Sequence, residues 1–81
     1  MSKEKLIQLI KDGREIEYIY NNKKYSITYG ELNGKEVLSF CEYNKETTEV
    51  TTPEELLNIK KYGVSVEEML ASIQEDNIWI F

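Results

Sequence analysis

The stretch Arg14-Glu-Ile-Glu-Tyr-Ile-Tyr-Asn-Asn-Lys-Lys-Tyr-Ser-Ile-Thr-Tyr29 decides the fold. Ile16, Tyr18 and Tyr20 alternate with Glu15 and Glu17. Tyr25, Ile27 and Tyr29 then alternate with Lys24, Ser26 and Thr28. A period of two marks strands with one buried face. Ile19 is the apolar residue that interrupts the polar set. Between the two runs, Asn21-Asn22 can adopt the positive φ angles of a type I′ hairpin turn. That turn pairs Ile16 with Ile27 and Tyr18 with Tyr25 on a single face. Turn chemistry and apolar alternation therefore demand the same register, and a slip of one residue would turn the apolar set to solvent.

On the C-terminal side, Asn33-Gly34 is a stronger turn of the same type. It places Phe40 opposite Ile27 and Leu38 opposite Tyr29, extending the apolar face onto a third strand over residues 35–43. Gly30 is expected to mark a bulge or bend. A fourth, polar strand is expected over Glu46-Thr-Thr-Glu-Val-Thr51, where charge suits a sheet edge. A three-residue loop at Asn44, Lys45 and Glu46, the preferred reading, would set Val50 opposite Phe40, whereas a two-residue loop would put Val50 on the other face.

Helices flank this meander. Ser2 is an N-cap and Gly13 a C′ residue around the apolar face of Leu6, Ile7, Leu9 and Ile10, which predicts a helix over residues 3–12. Thr52-Pro-Glu-Glu55 is a second start, with Pro at the first helical position and Glu55 set for a capping box. That helix is expected to bury Leu56, Leu57 and Ile59 and to end at Gly63. Ser65-Val-Glu-Glu68 repeats the box, with Val64 and Met69 placed as a hydrophobic staple. Its helix is expected to reach about Gln74 and to bury Val66, Met69, Leu70 and Ile73. Ile78-Trp-Ile-Phe81 predicts a final strand beside the first. The expected architecture is α+β in a single domain spanning 1–81. It comprises an N-terminal helix, a four-stranded antiparallel meander, two helices and a C-terminal strand, with the helices on one face of the sheet.

Composition narrows the chemistry. The chain has no His and one Cys, Cys41. Histidine-based nucleophilic mechanisms, internal disulfides and Cys/His zinc sites are therefore excluded. No cofactor and no metal is expected. Glu15 and Glu17 fit an exposed charged face, not an acid–base pair. Glu75-Asp76-Asn77 lacks the spacing of a calcium loop. Apolar runs are too short to cross a bilayer, and Met1-Ser-Lys-Glu-Lys5 leads into no signal-peptide core, so a cytoplasmic protein without membrane contact is expected.

Net charge is −5, from 10 basic and 15 acidic residues. It is unevenly spread: residues 1–30 carry 6 basic and 4 acidic groups, residues 31–81 carry 4 and 11. Acidity opposes a phosphate backbone, so Tyr18, Tyr20, Tyr25 and Tyr29 are expected in the core and not as a nucleic-acid stacking platform. The opposite sheet face would show Glu15, Glu17, Ile19, Lys24, Ser26, Thr28, Val37, Ser39, Cys41 and Tyr43. Trp79 and Phe81 join it if Ile78 and Ile80 point inward. Ile19, Val37, Tyr43, Trp79 and Phe81 are thus the candidate interface, an apolar strip with a polar rim.

Lys11-Asp-Gly-Arg-Glu-Ile-Glu-Tyr18, Asn22-Lys-Lys-Tyr-Ser-Ile27 and the paired helix starts at Thr52 and Ser65 give the chain its character. So does its wealth of Lys, Ile, Asn and Tyr. In these features it resembles the short acidic proteins of low-GC Gram-positive bacteria and their phages. Some proteins of that kind inhibit host defence nucleases by occupying basic channels. The resemblance implies a small non-enzymatic protein-binding module, such as a phage- or prophage-encoded inhibitor of a host defence protein. The alternative is a small homodimer that meets its copy through the Ile78–Phe81 strand or the polar sheet face.

Overall fold

A computed structural model describes all 81 residues. In chain order the elements are α1 (Lys3–Lys11), β1 (Ile16–Tyr20), β2 (Lys23–Leu32), β3 (Lys35–Glu42) and β4 (Thr47–Val50). They continue with α2 (Pro53–Leu57), β5 (Lys60–Lys61), β6 (Val64–Ser65), α3 (Val66–Ser72), a 3-10 turn (Glu75–Asn77) and β7 (Ile78–Ile80). Five strands form an antiparallel sheet in the order β4-β3-β2-β1-β7, and β5 and β6 form a separate small hairpin. The fold class is α+β.

The two decisive hairpins have the expected registers. Ile16 faces Ile27 and Tyr18 faces Tyr25. Ile27 faces Phe40 and Tyr29 faces Leu38. Both turns use left-handed backbone, with φ of 52° and 63° at Asn21 and Asn22, and of 55° and 80° at Asn33 and Gly34. Side-chain amides and glycine tolerate those angles where branched residues do not. The β2–β3 ladder runs unbroken past Gly30, which pairs with Val37, so the expected bulge is absent.

α1 is closed at both ends by its own sequence. The Ser2 hydroxyl accepts the Lys5 amide. At the other end the Gly13 amide donates to the Ile10 carbonyl and the Arg14 amide to the Leu9 carbonyl, with Gly13 at φ 73°. This is the Schellman closure. Leu6 and Ile10 are buried, and Ile7 and Leu9 pack partly beneath them.

One cluster of 13 buried residues holds the molecule together. The sheet contributes Ile16, Tyr18, Tyr25, Ile27, Leu38 and Phe40, all from one face. The helices contribute Leu6, Ile10, Leu56, Leu57, Val66, Met69 and Leu70. Tyr25 stacks between Tyr18 and Phe40, with centroids 5.2 and 5.5 Å apart. Tyr20 and Tyr29 lie at the margin of this core and are half-buried.

Four further expectations need correction. First, Val50 faces Leu38 and not Phe40. The Tyr43 amide still donates to Lys24 on β2, and the turn closes from the Lys45 amide to the Glu42 carbonyl. The reversal therefore begins earlier than a loop at residues 44–46 allows, and the shift of two keeps Val50 on the core side. Second, α2 stops at Leu57, and residues 60–65 form the β5–β6 hairpin, not a helical turn. Gly63, at φ 80°, does not end a helix; with Tyr62 at φ 54° it makes another positive-φ turn. Third, the Glu55 carboxylate accepts from Thr51 and from the Thr52 hydroxyl, so this cap is not the reciprocal box expected. Fourth, α3 ends at Ser72, and Ile73 is extended. The Ser65–Glu68 box is complete.

Candidate functional site

The candidate site is the sheet face that the helices leave uncovered. Its rows follow from the registers. Tyr43, Lys24 and Ile19 form one row, because the Tyr43 amide donates to the Lys24 carbonyl at 2.8 Å and Lys24 pairs with Ile19. Thr47, Cys41, Ser26, Glu17 and Trp79 form the next. Ser39, Thr28, Glu15 and Phe81 form the third, closed by the Phe81 amide donating to the Glu15 carbonyl at 2.8 Å. Val37 and Gly30 lie one row beyond.

β7 pairs with β1 so that Ile80 faces Ile16 and Ile78 faces Tyr18. Both isoleucines therefore point to the core. Alternation then sends Trp79 and Phe81 to the outer face, where they are 41% and 60% exposed. The sheet thus brings Ile19, Trp79 and Phe81 to one corner. They line an open depression of about 270 Å³ together with Glu17 and Lys24. Tyr43 is exposed and stands beside Lys24, lining the neighbouring hollow. Val37 does not belong to the corner, because it lies on β3 and β2 stands between it and the β1–β7 edge.

A second depression, about 330 Å³, adjoins the first and is lined by Glu15, Glu17, Lys24, Ser26, Cys41 and Tyr43, among others. The Lys24 ammonium binds the Glu17 carboxylate at 2.9 Å between the two hollows. That hydrogen bond, and then the carboxylate charge, raise the Lys24 pKa. Cys41 Sγ lies 3.7 Å from Ser26 Oγ. This hollow is open to solvent and not a deep cleft. The depression has carboxylates, a thiol and an amine, yet its amine is engaged by Glu17. No three His, Cys, Asp or Glu side chains converge in metal-binding geometry. No helix is long and apolar enough to cross a membrane.

A second polar constellation, at the other side of the sheet, escaped the sequence reading. Glu42 follows Phe40 on the inward side of β3 and is only 9% exposed. Its carboxylate accepts the Tyr62 hydroxyl at 2.9 Å, and Lys23 Nζ lies 4.8 Å from the centre of the Tyr62 ring. The bond to Glu42 raises the Tyr62 pKa. Burial raises that of Tyr25, with the Glu42 charge adding to it. Only the alternation of β3 hinted at an inward Glu42. Its partner lies twenty residues away.

No family model matches this chain, and neither a curated protein nor a solved structure shows a match.

Proposed function

We propose that the chain is a small non-enzymatic protein-binding module that docks through the corner formed by Ile19, Trp79 and Phe81, with Tyr43 at its margin. The observation that carries this reading is the exposure of Trp79 and Phe81 beside Ile19 around one shallow hollow. Large aromatic groups next to a concavity and a polar rim suit an interface, where they supply most of the binding energy. The Glu17–Lys24 pair is that rim. The openness of the neighbouring hollow, and the pairing of its one lysine, support binding over catalysis.

The partner class we infer is a host defence protein with a basic surface. The net charge of −5 and the resemblance to small acidic phage proteins support it. Affinity capture tests the reading with two variants. Ile19→Glu together with Tyr43→Lys should abolish retention of the partner. Val37→Lys, on β3 and apart from the corner, should leave it intact. Equal retention by both variants would sink the corner as the docking site.

A further inference from the structure

The two edges of the sheet differ in kind. β4, at one edge, is Thr-Thr-Glu-Val and carries a charge. β7, at the other, is Ile-Trp-Ile followed by Phe81, with no charge, no Pro and no Gly. Exposed edges without such gatekeepers are templates for another strand.

The backbone of β7 is half used. The Phe81 amide points to β1, where it donates to Glu15. In an antiparallel ladder the neighbouring residue points the other way, so the N–H and C=O of Ile80 face the open edge. The Ile78 amide is already taken by the Glu75 carbonyl. Ile80 is thus the residue with both groups free to pair.

We propose that β7 pairs edge to edge with β7 of a second copy, antiparallel and with the two-fold axis at Ile80. Each Ile80 N–H donates to the carbonyl of the partner's Ile80. Trp79 then lies beside the partner's Phe81 on the outer face, and Phe81 beside the partner's Trp79. Such aromatic cross-strand pairs stabilise a ladder. On the core side Ile80 meets the partner's Ile80.

Charge selects a second copy as the occupant. Glu75 and Asp76 stand at the start of β7. Arg14 stands at its end, with Nε donating to the Phe81 carbonyl at 2.6 Å. Antiparallel pairing brings the acidic turn of each copy toward the Arg14 end of the other, twice over. An isologous contact needs this self-complementarity. The result is a continuous ten-stranded sheet whose outer face carries four clustered aromatic rings. So short an edge buries less than about 1,000 Å², so the dimer is weak and concentration-dependent. It shares Trp79 and Phe81 with the docking corner but is tested apart from it, by mass and edge protection, whereas the docking reading is tested at Ile19 and Tyr43.

Sedimentation equilibrium tests it between about 10 μM and about 1 mM chain. The average mass should rise from 9.5 kDa toward twice that value. Trp79→Lys and, separately, Phe81→Lys should hold it at the monomer value while thermal unfolding stays cooperative. Using two exposed positions guards against a variant that fails to fold. Amide exchange supplies the geometric readout: the Ile80 amide should gain protection as concentration rises, and the amides of β4 should not. A wild-type chain that stays monomeric throughout would overturn the proposal. So would a dimer in which Ile80 remains unprotected.

Discussion

The Tyr62 hydroxyl donates to the Glu42 carboxylate at 2.9 Å, tying the tip of the small β5–β6 hairpin to the inward side of β3. Tyr62 is itself 68% exposed, so its ring covers the carboxylate without entering the core. A buried carboxylate needs such a donor, because an unpaired one is expensive. The hairpin tip supplies that donor to Glu42.

Tyr62→Phe isolates this bond, since the ring remains over Lys23. It should lower the urea midpoint. Adding Glu42→Leu should recover most of the loss, because replacing both partners removes the orphaned group. A double-mutant cycle in urea reads the coupling, and an absence of coupling would show that the hairpin docks by other contacts.

Tyr18 makes the opposite kind of bond. Its buried hydroxyl reaches only the Met69 sulfur, at 3.6 Å. Thioether sulfur is a weak acceptor, so the hydroxyl is poorly compensated. Tyr18→Phe should leave stability unchanged or raise it by up to about 1 kcal/mol. A fall in the unfolding midpoint would contradict this.

The two phenylalanines should separate core from site. Phe40 is fully buried against Tyr25, and its change to Ala should cost about 3–5 kcal/mol, enough to unfold much of so small a domain. Phe81→Ala removes an exposed ring and should cost less than about 1 kcal/mol. Thermal unfolding of both variants makes the comparison.

Stability should fall at both ends of the pH scale. On the acid side, hydrogen bonds from Thr51 and Thr52 to Glu55, and from Ser65 to Glu68, hold both carboxyls below their usual range. Their contribution is present above that range and is lost as pH falls through the folded values. On the alkaline side, burial pushes Tyr18 far above the ordinary phenol value, and Tyr25, Tyr29 and Tyr62 are also raised. Unfolded phenols ionise near about pH 10 while the folded ones keep their protons. Stability is therefore complete below that pH and lost above it. Urea midpoints from about pH 3 to about pH 11 should form a plateau between two falling limbs, with Tyr18→Phe flattening the alkaline one.

Legibility in the sequence followed from agreement between independent signals. Asn21-Asn22 and Asn33-Gly34 each coincide with an apolar alternation that tolerates one register, and both registers hold. The parity of β7 was conditional on Ile78 and Ile80 facing inward, and their pairing with Tyr18 and Ile16 meets the condition. β4 slipped by two because Val50 is its single large apolar residue and no second side chain fixes the pairing. The β5–β6 hairpin was hidden for a different reason. Lys60 and Lys61 are good helix formers, and a left-handed Gly63 serves a helix end as well as a turn. What decides between them is the contact of Tyr62 with Glu42, which no local pattern carries. Val37 shares a face with Ile19 but not a neighbourhood, and that distinction needs all the strand registers together.

The docking corner is tested most directly by affinity capture from cells that naturally carry this chain, read by mass spectrometry. Wild type and Val37→Lys should retain the same partner, and Ile19→Glu with Tyr43→Lys should lose it while unfolding as cooperatively as wild type. Retention of that partner by the folded corner variant would contradict the account.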